Sequence, residues 1–178
     1  MDKSIKTIYY RGSIKSCNYT CKYCPFSRKK SDKQQLDRDR DELTRFVKRI
    51  EVLSNGYFQN GQLVTIMFTP YGEAMIHSYY WEAFSYLSKL ECVGEICCQT
   101  NLSFDIDKFV YLMKKDQGDL DKMTFWCSFH PSQVSFDNFM IQCRKLDESA
   151  INYSVGAVGD ADNTDIIKEL RKQLPSEI

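Results

Sequence analysis

Three cysteines stand within eight residues in the segment Ser16-Cys17-Asn18-Tyr19-Thr20-Cys21-Lys22-Tyr23-Cys24-Pro25-Phe26. Thiolates at that spacing let one loop wrap a single metal centre. A tetrahedral zinc site wants a fourth Cys or His at short spacing, yet the two histidines are His77 and His130 and the next cysteine is Cys92. Three thiolates make a sensible iron–sulfur site if one iron is meant to stay open to an exogenous ligand, since thiolates are the normal ligands of such clusters. Buried structural thiols and zinc-binding thiols are the competing readings.

The elements that must position this loop follow from the hydrophobic pattern. Short runs rich in Ile, Val, Phe, Tyr or Thr predict strands over 5–11, 63–69, 95–100, 123–129 and 151–158. Each run precedes a loop and an amphipathic stretch, and that alternation predicts an α/β chain of parallel strands joined by crossover helices. The first helix, over about 39–53, sets Leu43, Phe46, Val47, Ile50 and Leu53 on one stripe opposite Arg45, Lys48, Arg49 and Glu51, and Asn55-Gly56 stops it. Later helices carry the stripes Tyr80, Phe84, Leu87; Ile106, Phe109, Val110, Met113; Phe136, Phe139, Met140, Cys143, Leu146; and Ile166, Ile167, Leu170, Leu174. Asp105, Ser135 and Asn163 are expected N-caps. The charge-rich stretch 28–41 reads as a solvated mobile loop, with a lid beside the cysteines as the sharper alternative.

In parallel α/β barrels the reactive groups sit at the C-terminal ends of the strands. Here those ends read Thr69-Pro70-Tyr71-Gly72-Glu73, Gln99-Thr100-Asn101, Ser128-Phe129-His130-Pro131 and Val155-Gly156-Ala157-Val158-Gly159-Asp160. Cys17, Cys21 and Cys24, with aromatic Tyr23 before the last of them and the first strand before the loop, resemble the signature of the radical S-adenosylmethionine superfamily. The stretch from Tyr10-Arg11-Gly12-Ser13 to Cys24-Pro25-Phe26 resembles an uncharacterised branch of it from bacterial biosynthetic clusters. The resemblance implies a partial parallel (βα) barrel with a [4Fe-4S] cluster on the three cysteines. S-adenosyl-L-methionine would chelate the open iron, and its reductive cleavage would give methionine and a 5′-deoxyadenosyl radical that abstracts hydrogen from a peptide or small-molecule substrate. A reductant protein such as flavodoxin or ferredoxin is then implied.

Carried over residue by residue, the resemblance places Tyr23 near the adenine. Gly72 and Glu73 match part of a Gly-Gly-Glu-Pro element, with Tyr71 and Ala74 departing from it, so Glu73 would accept from the cofactor's ammonium and Gly72 would permit close approach. Asn101 and Ser128 would offer polar contacts, and Gly156 and Val158 would pass the adenine, with Asp160 a loose match to the acidic end. His130 and Arg11, with Lys22 and Asn101, are candidates for the substrate side. The plainer readings are an exposed Glu in a turn and a structural His at a strand end.

At 178 residues, 43% hydrophobic and 13% aromatic, the chain fits one domain over 1–178. With 24 basic and 24 acidic residues it has no net field to attract nucleic acid or an anionic membrane. The first six residues hold no apolar signal region, and the apolar run 63–68 is too short to span a bilayer, so a cytoplasmic protein with reduced thiols is expected. Cys92, Cys97, Cys98, Cys127 and Cys143 read as small core residues, with Cys97 and Cys98 on opposite faces of a strand. Five βα units are counted where the superfamily's core has six. Pro175 ends the last helix, so a truncated chain, or a partner covering the fifth strand's edge, is expected. A glycyl-radical enzyme activase and a non-catalytic iron–sulfur or zinc module are the alternatives.

Overall fold

The computed structural model describes residues 6–26, 30–56, 58, 62–159 and 163–174. The chain alternates strand and helix: β1 (Lys6–Tyr10), α1 (Lys33–Gly56), β2 (Val64–Phe68), α2 (Ser78–Ser88), β3 (Val93–Thr100), α3 (Ile106–Lys115), β4 (Met123–Phe129), α4 (Phe136–Glu148), β5 (Asn152–Ala157) and α5 (Thr164–Gln173). Single 3-10 turns, Ala74–Ile76 and Leu120–Lys122, precede α2 and β4. The five strands form one all-parallel sheet in the order β1-β2-β3-β4-β5, with Tyr10 opposite Phe68, Phe68 opposite Cys98, Thr100 opposite Cys127 and Phe129 opposite Ala157. Strands added in chain order with a helix between each pair are consistent with a partial βα barrel.

One face of the sheet carries the core. Along β4, Met123, Phe125, Cys127 and Phe129 are buried while Thr124, Trp126 and Ser128 are not. Four successive helices each set a phenylalanine on the buried face: Phe46 of α1 and Phe84 of α2 against Phe68, Phe109 of α3 against Phe125, and Phe139 of α4 against Phe129, with ring centroids 6.0, 4.7, 5.7 and 4.8 Å apart. Such tilted and edge-on pairs add specific attraction to the area they bury. Residues of alternate parity therefore face away from the helices, and at the C-terminal strand ends they surround the site.

The structure corrects three expectations. The stretch 28–41 is helical from Lys33, not a lid; Arg28 and Lys29 lie outside the described residues. Asp32 and Gln35 cap α1 reciprocally, each side chain accepting from the other's backbone N–H at 2.8 and 3.0 Å. Asp105 and Ser135 cap α3 and α4 through their side chains, whereas Asn163 precedes α5 without a side-chain cap bond. Cys92, Cys98, Cys127 and Cys143 are buried as expected, but Cys97 is only half-buried on the face opposite the helices. Residues 160 and 175–178, on which the expectations about Asp160 and the chain end rest, lie outside the described residues. Among the described residues no helix is long and apolar enough to cross a membrane.

Candidate functional site

The loop after β1 is fixed at its base before it reaches the cysteines. Gly72 N–H donates to Ile14 C=O at 3.1 Å and Glu73 N–H to Ser16 C=O at 2.7 Å, so the loops after β1 and β2 run against each other. A Cβ on Gly72 would stand 2.0 Å from the Ser16 oxygen. The close approach that requires glycine here is that of the cysteine loop.

Beyond this base, Cys17, Cys21 and Cys24 line a single cavity of about 310 Å³ at the C-terminal ends of the strands. Tyr19, Tyr23, Gly72, Glu73, Gln99, Asn101, Ser128 and His130 complete much of its wall. Loops after β1, β2, β3 and β4 thus converge on one cavity.

Glu73 is buried, 3% exposed, beneath this cavity. Its carboxylate accepts from Met75 N–H at 3.0 Å, the Thr100 hydroxyl at 2.8 Å and Asn101 N–H at 2.6 Å. Burial pushes its carboxyl up to about 7, and the three donors hold it from going further. Asn101 ties the cysteine loop to β3: its amide donates to Asn18 Oδ1 at 3.1 Å and lies 3.6 Å from Cys17 Sγ. Leu102 follows with φ 58°, a left-handed turn in which its N–H reaches the Thr100 hydroxyl at 3.0 Å.

On the opposite wall, His130 Nδ1 lies 2.5 Å from the Tyr23 hydroxyl and 3.6 Å from Cys21 Sγ. Tyr23 stacks on the imidazole and Tyr19 meets it edge-on. Burial lowers the His130 pKa, raises the Cys21 thiol and pushes the Tyr19 hydroxyl up to about 12. Ser128 and His130 also line an adjoining groove of about 210 Å³ with Trp126, Gly156 and Val158.

The fold is shared with BtrN. In the crystal structure of BtrN in complex with AdoMet and 2-DOIA, the match covers 87% of this chain and 58% of that one, at 19% identity and a TM-score of 0.53. The chain therefore spans a little over half of BtrN's length. No protein-family model matches the sequence, and no curated protein matches it.

Two substrate-side candidates stand elsewhere. Arg11 is not part of the cavity lining: its Nε donates to Thr69 C=O at 3.0 Å and its guanidinium lies over the Tyr71 ring at 5.0 Å. Lys22 lines a separate open groove with Thr20, Pro131 and Gln133. Sequence reasoning missed Tyr19, which lies within the cysteine motif, and Asp39, whose carboxylate accepts from the N–H of Ile14 in the loop's base at 2.8 Å. The signal for Asp39 was a charge on the apolar stripe of α1, four residues before Leu43.

Among the described residues no three His, Cys, Asp or Glu side chains group as a single ion requires. Thiols are the side chains that ligate iron–sulfur clusters, and these three line one cavity.

Proposed function

We propose that this chain is a radical S-adenosylmethionine enzyme whose Cys17, Cys21 and Cys24 hold a [4Fe-4S] cluster. The observation that carries the reading is that all three thiols share one cavity with Glu73, Asn101, Ser128 and His130 at the C-terminal ends of parallel strands. BtrN, of the same fold, binds AdoMet, which is S-adenosylmethionine, and this supports the cofactor assignment. Held by Cys17, Cys21 and Cys24, a reduced cluster would supply one-electron reduction of S-adenosylmethionine, the chemistry that opens a radical route to hydrogen abstraction from substrate.

The chain's own residues orient and shield. Glu73 is the anion for the cofactor's ammonium, held by three donors so that it needs no reorganisation to receive a cation. Ser128, Gly156 and Val158 receive the nucleoside in the adjoining groove, where Gly156 leaves room beside Trp126 Nε1. Tyr23 packs near the adenine, and its hydroxyl on His130 fixes one wall. His130 faces a peptide or small-molecule substrate. A flavodoxin- or ferredoxin-like reductant completes the cycle, in the cytoplasm.

Anaerobic reconstitution with iron and sulfide, reduction with dithionite and addition of S-adenosylmethionine should yield 5′-deoxyadenosine by mass spectrometry. Replacing Cys17, Cys21 and Cys24 together by Ala should abolish both that product and the brown charge-transfer absorbance. A triple variant retaining wild-type iron and spectrum, or a reconstituted wild type releasing no 5′-deoxyadenosine, would overturn the reading.

A further inference from the structure

We propose that Asp39 is the positioning residue of the cysteine loop, holding the Ile14 peptide from α1 so that the three thiols meet at one cavity. The role assumes that the loop is a ligand loop, as proposed above. Asp39 is fully buried, and Oδ1 accepts from Ile14 N–H at 2.8 Å while Oδ2 accepts from the Tyr79 and Tyr80 hydroxyls at 3.0 and 2.9 Å. Ile14, itself buried, stands three residues before Cys17. Its backbone is held on both sides, the N–H by α1 and the C=O by Gly72 after β2.

Packing alone does not call for an acid here. Leu43 and Ile50 bury the same stripe of α1, and an apolar residue at 39 would continue it without the cost of desolvating a carboxylate. What the carboxylate adds is a directional, charge-assisted acceptor aimed at one loop N–H, with two tyrosines of α2 fixing its own orientation. The loop is built to admit it. A Cβ on Gly12 would fall 2.6 Å from Asp39 Oδ1 and 3.1 Å from the Tyr80 hydroxyl, so glycine lets the carboxylate press against the loop backbone.

The test uses the full chain without metal. Iodoacetamide labelling, read by peptide mass spectrometry, should modify Cys17, Cys21 and Cys24 about tenfold faster in Asp39→Ala, the factor expected when a charge-assisted hydrogen bond holding a segment closed is lost. Buried Cys92, Cys98, Cys127 and Cys143 should stay protected. Asp39→Asn keeps an acceptor for Ile14 and should return near the wild-type rate. Gly12→Ala, which displaces the carboxylate without removing it, should behave as Asp39→Ala and decides the matter if that variant fails to fold. After reconstitution, Asp39→Ala and Gly12→Ala should lose cluster absorbance that Asp39→Asn retains. Unchanged labelling of the three loop thiols in Asp39→Ala and Gly12→Ala, with the core thiols protected, would overturn the assignment. Labelling needs no cluster, so a wild type that takes up no iron counts against the proposed function and leaves this result readable.

Discussion

Glu73 has traded water for three protein donors, and the exchange is incomplete. Its carboxyl is pushed up to about 7 from 4.5 because burial outweighs the donors from Asn101, Thr100 and Met75. Between those values the folded chain holds a proton that the unfolded chain has released. Glu73 thus stabilises most below about 4.5, and its contribution falls as pH rises to about 7, by at most about 1.4 kcal/mol per pH unit and on the order of 3 kcal/mol in all. His77 and His130 act oppositely: burial holds both below 6.5, so their contribution is present above that value and lost as pH falls below it. Comparison with Glu73→Gln separates the two effects. In urea unfolding of the metal-free protein, the stability of wild type minus that of the variant should decline between pH 4.5 and 7.5. A difference flat with pH would reject the elevated carboxyl. Glu73 was legible in the sequence because a Gly-Glu pair after a strand has local order. Asp39 showed only as a charge on an apolar stripe, and its role was not legible because its donors come from residues 14, 79 and 80, which only the fold brings together.

At the scale of elements, the strands were the most legible, since parallel strands buried by helices announce themselves as β-branched and aromatic runs. The range expected for β4 is the one observed, and the others differ by a residue or two at their ends. The start of α1 was hidden for one reason. Between Lys33 and Leu43 the core-facing positions are Leu36 and Asp39, so the apolar period is interrupted by the acid that serves the loop. The two glycines at element ends show how little residue type alone decides. Gly72→Ala forces a methyl against Ser16 backbone, which cannot swing aside as a side chain would, and should cost about 1–3 kcal/mol while loosening the cysteine loop. Gly56 ends α1 with nothing within 4 Å of its Cβ position, so Gly56→Ala should be neutral or stabilise by up to about 1 kcal/mol. Thermal denaturation of both variants checks the contrast. Equal effects would show that the loop base tolerates side chains.

Across the whole molecule, the sheet divides core from site by residue parity, and neighbouring residues of one strand should therefore differ sharply in what they contribute. Phe125 is fully buried and packs its ring 5.4 Å from Phe104 and 5.7 Å from Phe109, so Phe125→Ala leaves a cavity that close-packed neighbours on α3 and the loop before it cannot refill. Trp126, the next residue, points to the face opposite the helices and is 46% exposed. Phe125→Ala should lower stability by about 3–5 kcal/mol, and Trp126→Ala, despite the larger side chain, by about 1 kcal/mol or less. Trp81 donates its indole N–H to Met75 C=O at 2.8 Å within the core side and remains as a fluorescence reporter in both variants. The functional consequence runs the other way. Trp126 lines the groove proposed for the nucleoside, so Trp126→Ala should weaken S-adenosylmethionine binding to the reconstituted protein, by calorimetry, while its urea midpoint stays close to wild type. Loss of stability on removing Trp126 comparable to that at Phe125 would mean that the second face is also a packed core, and the nucleoside would then have to bind outside that groove.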